Sequence, residues 1–579
     1  MSWYQEAVFY HIYPLGMTGA PKQNEYKAPE SRLEKLLPWV EHIKEIGCNA
    51  VYIGPLFESV GHGYETTDYR KLDSRLGTNK DLKKFVEKCH KNGIRVIFDG
   101  VFNHTGRDFF AFKDIQEKRE GSAYTGWYCN LNFGGNNEYN DGFSYDNWGG
   151  YNLLVKLNQK NPEVQNYICD VIRFWVEEFD LDGIRLDAAD VLDFDIMRAM
   201  RRVAEEVKPD FWLMGEVIHG DYSRWVNGET LHSVTNYALH KALYSGHNDH
   251  NYFEIAHTVK YLQNMGKLNL YNFVDNHDVE RIYTKLNNKA HFTPVHVLLY
   301  TLPGVPSVYY GSEFAIEGKK EKFSDDSLRP ELKYEDYKNA VKENPATALV
   351  SVLGKTRQAV PALSYGSFTE LMLTNRQYAF ARDLDGVRVL VTVNNDDNPA
   401  DFYLQTTGAA SYTGVVSGKT VEAGNGQLQV KVDANAGEIW VPTELMKDIE
   451  AGKVVEIKKA APKKVEKAPE KKAEPESKAV ETKEPEAKQE VKQVEVAKET
   501  TPVEEKKTEK VIEKKEAEKK PEEIKADFSK PYEEMSIEEL QACILAKMAG
   551  NGPVDDQMKK TVYDNIWKDS LINWVKSFR

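Results

Sequence analysis

Residues 161–190 read NPEVQNYICDVIRFWVEEFDLDGIRLDAAD, an amphipathic helix that runs straight into a short strand. Apolar side chains recur at helical spacing through Val164, Ile168, Ile172, Trp175 and Phe179, after which DGIRLDAA has the composition of a buried strand. The same alternation extends in both directions, from Ala7 to about Leu353. Further candidate strands are AVFYHIYP from Ala7, CNAVYIGP from Cys48, RVIFDGVFN from Arg95, FWLMGEV from Phe211, HSVTNYAL from His232, YNFVDNHD from Tyr271 and VPSVYYGSE from Val305. Strands separated by helices such as RLEKLLPWVEHIKEIG pair in parallel, because each crossover helix returns the chain in the same direction. The predicted fold class is α/β, and eight such units make a closed (β/α)8 TIM barrel the economical arrangement.

The barrel is expected over residues 1–365, with an inserted loop subdomain after strand three at about 104–160. The insertion carries TGWYCNLNFGGNNEYNDGFSYDNWGGYN, and aromatic rings beside amides suit a sugar-binding wall. The competing expectation is an ordinary subdomain filling its own small core. Residues 366–445 alternate apolar and polar positions between DG, NDD and GNG turns, which predicts a small antiparallel β-sandwich. At 446–528 the composition shifts to Lys, Glu, Ala, Pro and Val, so this stretch is expected to be a disordered, charge-balanced linker. Residues 529–579 regain order signals: Ser536 and Glu539 form a capping box, GNGP follows at Gly550–Pro553, and apolar residues from Val554 to Phe578 keep helical spacing. A helical hairpin is expected there, serving self-association or a protein partner, against the alternative of a self-packed module.

The chain has 579 residues, enough for several modules, and a formal net charge of -14. That charge repels nucleic acids and anionic membranes and leaves uncharged sugars unaffected. No segment approaches eighteen uninterrupted apolar residues, and the N-terminus has no signal-peptide pattern, so a cytoplasmic protein without a membrane span is expected. The odd number of cysteines, five, widely separated and without CxxC, reads as free thiols.

Reactive side chains gather at the predicted carboxyl ends of strands, where a barrel's loops converge on one mouth. Strand three ends in Asp99, Asn103 and His104, strand four in Arg185 and Asp187, strand five in Glu216, and strand seven in His277 and Asp278. One acid at a strand end is commonly structural; several ends bearing acids, an arginine and histidines point to catalysis. Cleaving a glycosidic bond with retention needs two carboxyl groups about 5–5.5 Å apart, one ionised and one protonated. Asp187 and Glu216 on adjacent strands suit this. Arg185, two residues before Asp187, points to the same side and should keep it ionised. Glu216 is expected to be held protonated by apolar surroundings and nearby negative charge.

DGVFNH, DGIRLDAAD, GEV and FVDNHD, in this order, resemble the signature regions of the alpha-amylase superfamily, as do HGYETTDYRKLDSRLGT and PGVPSVYYGSE. The resemblance covers the barrel and extends toward the β-domain, but not the tail. It implies Asp187 as nucleophile, Glu216 as general acid/base and Asp278 as the third carboxylate, gripping sugar hydroxyls. It further implies Tyr64, His104, Arg185 and His277 as substrate-binding residues, with Asp68, Asp99 and Asn103 in support; Asp68 would orient Arg185 or its neighbours. LVKLN at 154–158 is similar to the neopullulanase, cyclomaltodextrinase and maltogenic amylase group, which implies α-1,4 cleavage of maltooligosaccharides or related α-glucans. No cofactor is expected: Ala188, Ala189 and Asp190 stand where many secreted alpha-amylases carry a Lys-His pair at the last two positions, and apart from Asn103 the calcium ligands are not evident. The alternatives are a glucanotransferase using the same covalent intermediate and a catalytically silent, amylase-like binding subunit.

Overall fold

Side chains alternate between two apolar environments along each barrel strand, and this alternation decides what faces the barrel axis. The strands are β1 (Phe9–Ile12), β2 (Ala50–Ile53), β3 (Arg95–Gly100), β4 (Gly183–Leu186), β5 (Trp212–Gly215), β6 (Ser233–Val234), β7 (Tyr271–Phe273) and β8 (Val305–Tyr309). Phe9, Ala50, Tyr52, Ile97, Trp212, Met214, Tyr271 and Phe273 pack together inside the barrel. Their neighbours Tyr10, Val51, Ile53, Phe98, Ile184, Leu186 and Leu213 point outward into the layer beneath the helices. By the same period, Asp99, Arg185, Asp187 and Glu216 fall on the inner side. The computed structural model describes residues 2–322, 324–455, 530, 532 and 535–551.

All neighbouring barrel strands are parallel, in the order β6-β5-β4-β3-β2-β1-β8-β7. The ring closes where Thr235, just beyond β6, bridges Tyr271, and the Asn236 N–H donates to the Tyr271 carbonyl at 2.9 Å. The helix Pro162–Phe179 follows from its sequence: the Asn161 side chain caps the Glu163 N–H at 2.8 Å, and proline occupies the first turn. Its apolar stripe includes Trp175, which stacks on Phe57 at 4.5 Å between centroids and donates from Nε1 to the Tyr69 carbonyl at 2.7 Å.

The inserted stretch forms a three-stranded sheet (His104–Gly106, Tyr151–Lys156, Asn147–Trp148) with a helix at Phe110–Lys118. Half of the aromatic rings in residues 125–152 are buried, among themselves and, for Trp127, against Tyr167 of the helix Pro162–Phe179, as the ordinary-subdomain alternative expects. Trp127, Tyr128, Phe143 and Tyr145 are buried with Phe112 and Ile115, while Tyr139 and Tyr151 are exposed.

Next comes a β-domain: β9 (Ser367–Leu373), β10 (Gln377–Leu384), β11 (Val387–Asn394), β12 (Ala400–Gln405), β13 (Ser411–Gly414), β14 (Thr420–Glu422), β15 (Gln427–Val432) and β16 (Ala436–Pro442). A six-stranded antiparallel sheet, β9-β10-β11-β16-β13-β14, faces the pair β12-β15 over a core that includes Ala381, Leu390, Phe402, Leu428 and Trp440. The DG turn between β10 and β11 places both Asp385 (φ 47°) and Gly386 (φ 89°) in the left-handed region, as a two-residue hairpin requires.

Ordered chain continues past the expected boundary at 445. Met446–Glu450 is a short helix with Ile449 buried, and the Val455 N–H donates to the Ala359 carbonyl at 2.8 Å. The composition change at the linker hides these last apolar anchors. The linker at 456–528 lies outside the described residues. The chain divides into units at 1–467 and 468–579. Within the second, Ile537–Asn551 is helical, and the reciprocal Ser536–Glu539 cap is present at 2.8 and 3.2 Å. The helix reaches Asn551, within the GNGP stretch at Gly550–Pro553, and the rest of that stretch and the apolar positions from Val554 onward lie outside the described residues.

Replacing Trp175 with alanine should lower stability by about 3–5 kcal/mol, since it removes a fully buried ring and strands a carbonyl. Urea unfolding checks this; Trp175→Phe, which keeps the stack, should cost clearly less.

Candidate active site

Parallel register brings the inward acids together at one end of the barrel. Met214 pairs with Arg185 and Gly215 with Leu186 across β4 and β5, so Asp187 and Glu216 leave their strands side by side. Their backbones are pinned there: the Asp187 N–H donates to the Gly100 carbonyl at 3.1 Å, and the Glu216 N–H to the Leu186 carbonyl at 2.9 Å.

Arg185, 3% exposed, is the shared cation. One terminal nitrogen, Nη1, contacts Asp99 Oδ1 and Asp187 Oδ1, each at 2.9 Å; Nη2 contacts Glu216 Oε2 at 2.8 Å. Asp99 Oδ2 accepts the hydroxyls of Tyr52 at 2.7 Å and Tyr64 at 3.2 Å. Glu216 Oε2 also accepts the Ala188 N–H at 3.1 Å, and Oε1 the Tyr237 hydroxyl at 3.3 Å. Ala188 achieves this with a left-handed backbone (φ 45°, ψ 44°), a conformation that a residue with a Cβ adopts only when its surroundings hold it. Glu216 thus sits among polar donors, and the expected apolar surroundings are absent because β4 and β6 both send hydrogen-bonding groups toward it.

Three carboxylates around one guanidinium cannot all ionise cheaply. Burial pushes the Asp187 carboxyl well above the usual carboxylate range; Arg185 opposes this, while Glu216 and Asp99 add to it. Asp278 behaves in the opposite way. Against the upward push of burial, His277 and then Arg329 and Arg185 hold its carboxyl well below that range. Its Oδ2 lies 2.9 Å from His277 Nε2 and its Oδ1 2.8 Å from Arg329 Nη2, with the side chain 36% exposed toward the mouth.

Tyr64 links the two halves of the cluster. Its hydroxyl bonds His277 Nε2 as well as Asp99, and its ring is nearly parallel to the imidazole, 5.7 Å away. His104 differs from expectation: Nε2 lies 3.1 Å from the Tyr64 carbonyl and Nδ1 3.2 Å from Asn103 Nδ2, so both ring nitrogens are engaged by protein. Burial lowers its pKa to about 4, and the neutral ring holds the Tyr64 backbone. Asp68 is not in the cluster. Its carboxylate accepts the Arg70 N–H at 2.8 Å, an Asx turn within the strand Thr66–Leu72, and does not orient Arg185.

Asn103 tests the calcium that the superfamily resemblance implies. Its Oδ1 accepts from Gln159 Nε2 at 3.2 Å, and Gln159 Oε1 accepts the Asp193 N–H at 2.6 Å. A neutral amide chain occupies this position, which does not fit a hard cation needing six or more oxygen ligands. Among the described residues no group of three or more His, Cys, Asp or Glu could hold a metal.

Sequence reasoning missed Tyr13, Tyr52, Tyr237 and Arg329. Tyr13 stacks on His277 at 5.9 Å, and Arg329 lies over the Tyr13 ring at 4.6 Å. Tyr13, Tyr52 and Tyr237 stand in or at the ends of predicted strands and could have been found by position; Arg329 comes from the loop after β8, which has no periodicity.

Comparison with known proteins gives concordant results. A family model described as alpha amylase, catalytic domain, matches residues 34–347. The chain is 31% identical over 437 residues to a cyclomaltodextrinase of Thermoanaerobacter pseudethanolicus, covering 69% of this chain and 72% of that protein. It is 29% identical over 468 residues to neopullulanase 2 of Thermoactinomyces vulgaris, covering 76% and 78%. A solved cyclomaltodextrinase structure matches with a TM-score of 0.68 at 27% identity, over 76% of this chain and 78% of that one.

The raised Asp187 pKa makes a testable statement about stability. A carboxyl raised in the folded state favours folding below its unfolded value of about 3.9 and costs stability as pH rises through the folded value. Asp187→Asn should therefore stabilise the protein near pH 7 by about 0.5–2 kcal/mol, with the gain shrinking toward pH 4. Urea unfolding at several pH values measures it.

Proposed function

The chain belongs to the alpha-amylase family of glycoside hydrolases, and we propose that it hydrolyses α-1,4 bonds of maltooligosaccharides, dextrins or related α-glucans by double displacement. Asp187 attacks the anomeric carbon while Glu216 delivers its proton to the departing glycosidic oxygen. The C–O bond breaks, a glycosyl ester forms on Asp187, and the shortened glucan leaves. Glu216, now ionised, takes a proton from a water molecule that attacks the same carbon, and the ester bond to Asp187 breaks with net retention.

The observation that carries this reading is the single guanidinium of Arg185 spanning Asp187 and Glu216. Two acids held by one planar fork favour the short spacing of retaining enzymes over the wider separation, about 6.5–9.5 Å, that leaves room for an inverting water. Double displacement needs Asp187 ionised for attack and a proton on Glu216 for the leaving oxygen. Asp278, kept ionised beside Arg329, supplies an acceptor for sugar hydroxyls and a negative charge facing the oxocarbenium-like transition state. Arg185, Tyr64 and His277 complete the binding surface, while His104, Asp99 and Asn103 hold it in place. The relatives named for cyclomaltodextrin and pullulan point to short or cyclic dextrins.

We also infer a cytoplasmic setting. Cys48, Cys89, Cys129 and Cys169 are free thiols, three of them buried, which suits a reducing compartment, and among the described residues no helix is long and apolar enough to cross a membrane.

Digestion of maltoheptaose and β-cyclodextrin should release products initially in the α-configuration, followed by NMR. Glu216→Gln should lower kcat at least about 10³-fold, as loss of a general acid/base does. β-Configured first products would refute the double displacement, and absence of wild-type turnover on any α-glucan would refute the substrate class.

A further inference from the structure

Away from the carboxylates, two arginines are buried without a counter-ion. Arg357, on the helix Pro345–Ala359, is 1% exposed, and Arg382 on β10 is 2% exposed. Both guanidinium groups donate to backbone carbonyls. Arg357 reaches Tyr300 at 3.0 Å and Gly304 at 2.6 Å; Arg382 reaches Thr301 at 2.6 Å and Gly366 at 3.1 Å. Tyr300 and Thr301 end the helix Phe292–Thr301, whose dipole therefore assists. A helix C-terminus carries only about half a negative charge, so two guanidinium ions leave the region strongly electropositive. Asp383, adjacent to Arg382 in sequence, pairs with Arg388 at 2.7 Å, and Glu6, next to the cleft-lining Gln5, accepts the Tyr365 hydroxyl at 2.8 Å. Leaving a buried charge uncompensated is costly, and a bound anion removes that cost.

Arg382 forms part of the wall of a cleft of about 470 Å³, within the usual size of small-ligand sites. Leu270 and Gly304, which immediately precede β7 and β8, also line it, so it opens at the amino ends of strands whose carboxyl ends face the catalytic mouth. Lys267 stands exposed at its rim, and Asn269 Nδ2 is buried there with no acceptor. Gln5, Gln263 and Ser367 add neutral donors and acceptors, while Val259, Leu262 and Phe368 form an apolar wall. Among the described residues lining the cleft, none is aspartate or glutamate, in a chain whose net charge is -14.

We propose that this cleft is a second ligand site, distinct from the catalytic mouth, for a small organic phosphate of the sugar-phosphate class. The phosphate oxygens accept from Arg382, Lys267 and the unpaired Asn269 amide, which present donors and positive charge together. The glutamines and Ser367 bond hydroxyl groups, and the apolar wall meets the C–H face of the ring.

Isothermal titration of the full chain with glucose 6-phosphate, inorganic phosphate and glucose tests the assignment. Saturable binding of glucose 6-phosphate is expected, weaker binding of inorganic phosphate, and none of glucose at the same concentrations. Lys267→Glu and Asn269→Asp, neither at a fully buried position, should each weaken glucose 6-phosphate binding at least about tenfold, or about 1.4 kcal/mol. Lys267→Glu should leave maltoheptaose hydrolysis unchanged. Arg382→Met should abolish binding, and the two rim variants keep the test decisive if that variant fails to fold. No saturable binding by the wild type, equal binding of glucose, or wild-type affinity in both rim variants would overturn the proposal.

Discussion

One guanidinium organises the barrel mouth. Arg185 is 3% exposed, and its charge is affordable only because Asp99, Asp187 and Glu216 surround it; those acids in turn can approach one another only because it lies between them. Asp99 extends the arrangement through Tyr52 and Tyr64, and Tyr64 passes it to His277, Asp278 and Arg329. A continuous polar network therefore crosses the mouth from β2 to the loop after β8. Every member is held by a strand end or by another member, which is the preorganisation that electrostatic catalysis needs.

The two ends of this network carry opposite electrostatic character. At Arg185 acids exceed cations, and Asp187 is raised. At Arg329 a cation and an imidazole flank one carboxylate, and Asp278 is lowered. The Arg329 side therefore supplies a fixed negative charge, while on the Arg185 side the guanidinium works against burial and the neighbouring acids to ionise Asp187 for attack. Asn103, the one residue of the superfamily's calcium ligands retained here, accepts instead from Gln159.

Much of this was legible in the sequence because it depends on period and register. A strand alternates, so Arg185 and Asp187 had to share a face; adjacent strands in a barrel bring their carboxyl ends together, so Glu216 had to lie near. The barrel strands and the DG turn at Asp385–Gly386 follow from the same local rules. What was not legible depends on tertiary partners. Whether Trp127 or Tyr145 faces sugar or its own core is decided by where the insertion folds back, which composition does not encode. His104 and Asp68 stand in the right motifs, yet one is taken up by Tyr64 and Asn103 and the other by its own turn. Arg329 arrives from a loop with no pattern at all.

The central claim is that Asp187, not either of its acidic neighbours, becomes covalently bonded to sugar. Incubation with a 5-fluoro-α-glycosyl fluoride, followed by proteolysis and mass spectrometry, tests it most directly. The expected result is one glycosyl unit on the peptide bearing Asp187, released again when a glucan acceptor is added. A label on Glu216 or Asp278, or steady turnover of the reagent with inversion and no label, would contradict it.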